Sequence, residues 1–126
     1  MQRNTRQRQA IQKAFSHAGR PLGPREVLEA AVTVVPGLGI ATVYRTIKEL
    51  VDAGEIVPVE LPGENTRYEV SGKHHHHHFH CNKCSGVFEV EVCNFDATVP
   101  KGFRLEDHEV ILYGLCDNCA PGRKTK

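Results

Sequence analysis

The sequence predicts an α+β fold in two small parts. Three observations lead there: apolar residues recur at helical spacing through residues 1–53, short strands bounded by turn residues follow, and two Cys-x-x-Cys pairs stand in the second half. At 126 residues the chain has room for one ordinary domain or two very small ones. A part of roughly 60 residues buries little apolar surface, so the second part calls for a metal staple or a dimer interface.

In the first part, Thr5 is the expected N-cap of a helix whose stripe is Ala10, Ile11, Ala14, Phe15 and Ala18, ending near Gly19. Pro24 suits the first turn of a second helix, with Val27, Leu28, Ala31 and Val35 facing inward until Pro36-Gly37 breaks it. A third helix begins around Ala41, buries Val43, Ile47, Leu50 and Val51, and stops at Gly54. Strands are expected over 56–61 and 67–70, joined by Pro62-Gly63-Glu64-Asn65. Three helices and a β-hairpin make a winged helix-turn-helix over residues 1–70. Ser71-Gly72-Lys73 is a hinge to a small α/β part over 74–120. There, 87–92 alternates apolar and acidic residues as a half-buried strand does, and 103–105 and 110–115 read as two more strands. Residues 121–126 form a basic tail.

The formal net charge is only +1, but residues 1–25 carry Arg3, Arg6, Arg8, Lys13, Arg20 and Arg25 without one Asp or Glu. That is a footprint for a polyanion. On the third helix, Thr42, Tyr44, Arg45, Lys48, Glu49 and Asp52 occupy the face opposite the core. Arg bridges guanine O6 and N7, and Thr or an aromatic ring packs on a thymine methyl. Thr42, Tyr44, Arg45 and Lys48 are therefore the candidate base-reading set, with Arg3, Arg6 and Arg8 on phosphates or in the minor groove. The competing reading is a solvated helix face that touches nothing; the acid-free N-terminus and the hairpin weigh against it.

No apolar run is long enough to span a bilayer, and no signal-peptide core follows the N-terminus, so a cytosolic protein with reduced thiols is expected. In that compartment Cys81, Cys84, Cys116 and Cys119 read as one tetrahedral structural zinc site. The fifth, Cys93, reads as a small core residue. Five histidines, His74 to His78, precede the first pair, in an internal position unlike that of a purification tag. On an extended segment His76, His78 and His80 face one way and His75 and His77 the other, enough for two sites completed by Glu69, Glu89, Asp96 or His108. Such nitrogen and oxygen shells suit Fe²⁺, Mn²⁺, Zn²⁺, Ni²⁺ or Co²⁺.

Gly39-Ile40-Ala41-Thr42-Val43-Tyr44-Arg45, the wing ending Thr66-Arg67-Tyr68-Glu69, the His-rich segment leading into Cys81, and Tyr113-Gly114-Leu115-Cys116 together resemble the ferric uptake regulator family, over nearly the whole chain. The resemblance implies a dimeric, metal-responsive bacterial transcriptional regulator whose second part is the dimerisation domain. It implies that Tyr44 and Arg45 contact bases and that the four cysteines hold structural zinc. It assigns Glu69, His76, His78 and Glu89 to a regulatory site, and His75, His77, Asp96 and His108 to a further site. His77 stands where many members have Asp, and Asp96 where many have Glu. Pro21 stands where a regulatory His is usual, with His17 close by as a substitute. The family's first helix is mostly missing, leaving its phosphate contacts to Arg3 and Arg6, and the helix expected after Asp96 is cut short by Pro100.

The resulting expectation is a homodimeric repressor of metal-homeostasis or oxidative-stress genes, binding a palindromic operator when a divalent ion is held. A metal buffer or chaperone needs no DNA affinity, so the basic N-terminus argues against it. A peroxide sensor of the same family oxidises a ligand histidine. A zinc hydrolase or deaminase needs an open metal position and a general base, and neither His-Glu-x-x-His nor the His-x-Glu plus Pro-Cys-x-x-Cys pattern occurs.

Overall fold

The structure, a computed structural model, describes residues 2–73, 75–91 and 99–121, with side chains described from Thr5 onward. The chain divides into two compact units, Met1–Lys73 and His74–Lys126.

The first unit contains α1 (Gln2–Ala18), α2 (Pro24–Ala31), α3 (Ile40–Asp52), β1 (Ile56–Val59) and β2 (Arg67–Val70). Helix α1 starts a turn earlier than expected, placing Thr5 inside it instead of at its cap. The Gln and Arg residues on that side are good helix formers and nothing there breaks the pattern. Pro24 opens α2 as expected, while the Glu26 carboxylate reaches back to accept the Gly23 N–H at 2.9 Å. Helix α2 ends at Ala31, short of Val35, because the β-branched run Val32-Thr33-Val34-Val35 is poor helix material ahead of Pro36. Helix α3 closes with Gly54 at φ +79°: the Gly54 N–H bonds the Val51 carbonyl and the Glu55 N–H the Leu50 carbonyl, both at close range (3.0 and 2.9 Å). Those two bonds form a Schellman motif, which needs a left-handed residue at that point.

β1 and β2 pair antiparallel from Ile56 opposite Val70 to Val59 opposite Arg67. β1 ends two residues before the expected Leu61, where the Pro62-Gly63 turn begins. Leu22 adds a bridge to Tyr68, so the α1–α2 connection is stitched to the hairpin. The core is one cluster drawn from the three helices, their connections and β1, including Ile11, Phe15, Leu22, Val27, Val43, Ile47, Leu50 and Ile56, with the partly buried Tyr68 and Val70 of β2 packed against it. Leu50 is wholly enclosed. Leu50→Ala should cost about 2–5 kcal/mol, read as a lower urea midpoint of the far-ultraviolet helix signal; an unchanged midpoint would contradict this packing.

The second unit is a sheet of β3 (His77–Cys81), β4 (Val87–Val90) and β5 (Ile111–Gly114) in the order β4-β3-β5. β3 runs antiparallel to β4 and parallel to β5, with His78 opposite Glu89 on one side and Ile111 on the other. The expected strand at 103–105 does not form. Phe103 follows a Lys101-Gly102 turn and is 69 % exposed, and β5 already occupies the free edge of β3. Glu91 lies beyond the end of β4, and Cys93, Asp96 and the tail from 122 lie outside the described residues. The only buried apolar side chains described in this unit are Cys81, Val87 and Cys116. So small a core needs help from elsewhere.

Candidate metal centres and nucleic-acid face

Each Cys-x-x-Cys pair sits on a tight turn that aims both sulfurs one way. In the first, the Ser85 N–H bonds the Cys81 carbonyl at 2.9 Å, with Ser85 left-handed at φ 64°. In the second, the Ala120 N–H bonds the Cys116 carbonyl at 2.8 Å. The Asn82 N–H donates to the Gly114 carbonyl at 2.7 Å and joins the two turns. The four Sγ atoms lie within 4.8 Å of one another, and those of Cys84 and Cys116 are 3.9 Å apart. A zinc–sulfur bond of about 2.3 Å implies tetrahedral edges of about 3.8 Å, so this donor set fits structural zinc. The four thiols differ in acidity. Backbone N–H groups of Cys84 and Cys116 donate to Cys81 Sγ and lower that thiol to about 6. The hydrogen bond shared with Cys116 pushes Cys119 up to about 12. Four clustered thiolates require a cation.

The histidines alternate as expected on the extended segment. His76 and His78 rings are 4.8 Å apart on one side, and His75 and His77 rings 4.7 Å apart on the other. His108 arrives from the segment just before β5 and joins the second group, 4.8 Å from His75 and 5.1 Å from His77. The donor atoms of His75, His77 and His108 lie within 4.8 Å of one another, room for an imidazole-bound ion. Burial, then the neighbouring His75 and His108, hold the His77 imidazole below its ordinary range. Its Nδ1 accepts the Val110 N–H at 3.2 Å, a fixed orientation that no local signal in the sequence announces. His80 turns to Tyr113, edge to face at 5.8 Å.

Glu89 is half-buried on β4 opposite His78. Glu69 is buried on β2 of the first unit, 6 % exposed, with Lys73 Nζ 3.8 Å from its Oε1. Pro21 is fully buried and His17 exposed at the end of α1.

On α3, Tyr44, Arg45, Lys48 and Glu49 are exposed and Thr42 half-exposed, while Val43, Thr46, Ile47 and Leu50 are buried. Arg45 Nη2 donates to Thr42 Oγ1 at 3.4 Å, and Lys48 pairs with Asp52 at 3.4 Å. The α1 arginines differ among themselves. Arg6 Nη2 reaches the Val34 carbonyl at 3.5 Å. Arg8 Nη1 donates to Glu49 Oε1 at 3.0 Å and its Nη2 lies 3.7 Å from Glu55 Oε2.

The sequence profile of the ferric uptake regulator family matches residues 2–113. The chain belongs to that family. It is 32 % identical to the ferric uptake regulation protein of Bordetella parapertussis over 82 % of this chain and 78 % of the relative. Against the ferric uptake regulation protein of Campylobacter jejuni the identity is again 32 %, over 91 % of this chain and 78 % of the relative. The fold is similar to that of a zinc-bound manganese uptake regulator, with a TM-score of 0.72, 30 % identity and 87 % of each chain covered. As a ferric uptake regulator family member, the chain is a metal-responsive, DNA-binding transcription regulator, with an amino-terminal winged helix and a carboxy-terminal unit carrying the four-cysteine site. Among the described residues no helix is long and apolar enough to cross a membrane.

Proposed function

We propose that the chain is a homodimeric repressor that grips a palindromic operator when a regulatory divalent ion is bound. The observation that carries this reading is the coexistence of a four-sulfur cluster and separate imidazole groups in one small unit. Thiolates suit a permanently held zinc. Mixed nitrogen and carboxylate donors suit a more exchangeable ion, Fe²⁺, Mn²⁺, Zn²⁺ or Ni²⁺. We assign His76, His78 and Glu89 to the regulatory ion, with Glu69 the further donor that the family resemblance adds. His75, His77 and His108 form the additional site, to which the resemblance adds Asp96.

A bound divalent ion supplies positive charge that these imidazoles and carboxylates share. The DNA-competent state gains population only as far as it holds its ligands closer to the ion than the other state does. On the first unit, Thr42, Tyr44, Arg45 and Lys48 read bases, and Arg3 and Arg6 meet phosphates. Dimerisation is supported by the edge strand β5, where Leu112, Tyr113 and the following Leu115 are each more than 40 % exposed. An apolar edge of this kind is covered by a second copy in a two-fold arrangement.

The test is duplex binding titrated with each of the four ions in turn, on wild type and on the double variant His76→Ala, His78→Ala. The variant should keep one zinc per subunit and its fold, yet lose at least about 10–100-fold in regulatory-ion affinity, the range for weakening a ligand's support alone. An identical metal response in variant and wild type would remove the assignment.

A further inference from the structure

Glu49 is out of place on a surface that approaches DNA. It lies one helical turn beyond Arg45 on the exposed face of α3, where a bare carboxylate repels phosphates. The structure meets this charge from another element. Arg8, forty-one residues away on α1, places Nη1 3.0 Å from Glu49 Oε1, and the same guanidinium lies 3.7 Å from Glu55. Arg8 and Glu49 line, with Thr5, Arg45 and Thr46, a cleft of about 260 Å³ between the two helices. Gln12 donates to Glu55 at 2.8 Å and completes the tie between α1 and the end of α3.

We propose that Arg8 is a positioning residue that acts through Glu49: it cancels the carboxylate beside Arg45 and sets α3 against α1, so that Arg45 meets DNA without a neighbouring negative charge. The proposal rests on the reading of α3 as the DNA-reading helix. It reassigns Arg8, since a guanidinium forked onto two carboxylates is already committed on the protein side. The sequence offered no hint of the pairing, because the two residues sit on different helices.

The two roles separate in a double-variant cycle on the full chain. The probe is a labelled duplex selected from a random pool by the wild-type protein, with whichever of Fe²⁺, Mn²⁺, Zn²⁺ or Ni²⁺ supports binding. Arg8→Ala should weaken binding about fivefold, the upper end for an exposed ion pair. Glu49→Gln added to Arg8→Ala should restore affinity to within about twofold of wild type, with an unchanged salt slope. A phosphate contact behaves otherwise: the double variant stays as weak as Arg8→Ala, and its salt slope is shallower by about one. Either result overturns the proposal. Should Arg8→Ala disturb α1, the exchange Arg8→Glu with Glu49→Arg keeps the ion pair. It should bind at least as well as wild type, and a loss beyond about fivefold overturns the proposal too. If the wild type itself binds no duplex, the reading of α3 fails first, a result distinct from all of these.

Discussion

Cys81→Ser protein should carry no tightly held zinc and should lose the β3-β4-β5 sheet while the helices of the first unit stay folded. Cys81 is the most deeply placed of the four thiols, fully buried, and its sulfur accepts N–H groups from both Cys-x-x-Cys turns. Serine offers a harder, far less acidic donor in the same place. The second unit has little else to hold it, since its described buried apolar side chains are two of the ligands and Val87. Structural zinc contributes on the order of 10 kcal/mol to small domains of this kind, more than the whole stability of many. The first unit has its own core from Ala10 to Ile56 and does not depend on the metal. Metal analysis after dialysis, with amide hydrogen exchange read separately for residues 5–73 and 75–121, measures both halves. Retained zinc with a protected sheet would defeat the structural role given to the cluster.

Arg45→Ala should abolish specific duplex binding without touching zinc content or dimerisation. The side chain is exposed on α3, bonded only loosely to Thr42 at 3.4 Å, so its loss leaves the core unchanged. A bidentate Arg–guanine contact contributes about 1–3 kcal/mol. In a two-fold dimer the loss is doubled to about 2–6 kcal/mol, or from tens to about ten thousand in affinity. Tyr44→Ala, at a side chain 58 % exposed, should act in the same direction. Fluorescence anisotropy at fixed salt, beside sedimentation for the dimer, makes the measurement. Equal affinity for wild type and Arg45→Ala would show that α3 does not read bases.

Local chemistry made much of the first unit legible. Pro24 opens α2, Gly54 closes α3, and the apolar stripe of α3 is the one that is buried. The errors lie at ends, where competing local preferences differ little: Thr5 was overrun by good helix formers, and a β-branched run stopped α2 early. The strand expected at 103–105 failed for a different reason. Alternating apolar residues suffice to suggest a strand, but a strand exists only where another backbone is free to pair with it.

The opening of α2, the close of α3, the two sulfur pairs and the alternation of the histidines were determined by the sequence alone, because each depends on residues within about one turn or one knuckle of each other. Only the tertiary structure decided that β5 runs parallel to β3 and that Arg8 meets Glu49. Those partners lie about thirty to forty residues apart, where no periodicity links them. Chain folding, by closing long loops around two separate cores, chose them.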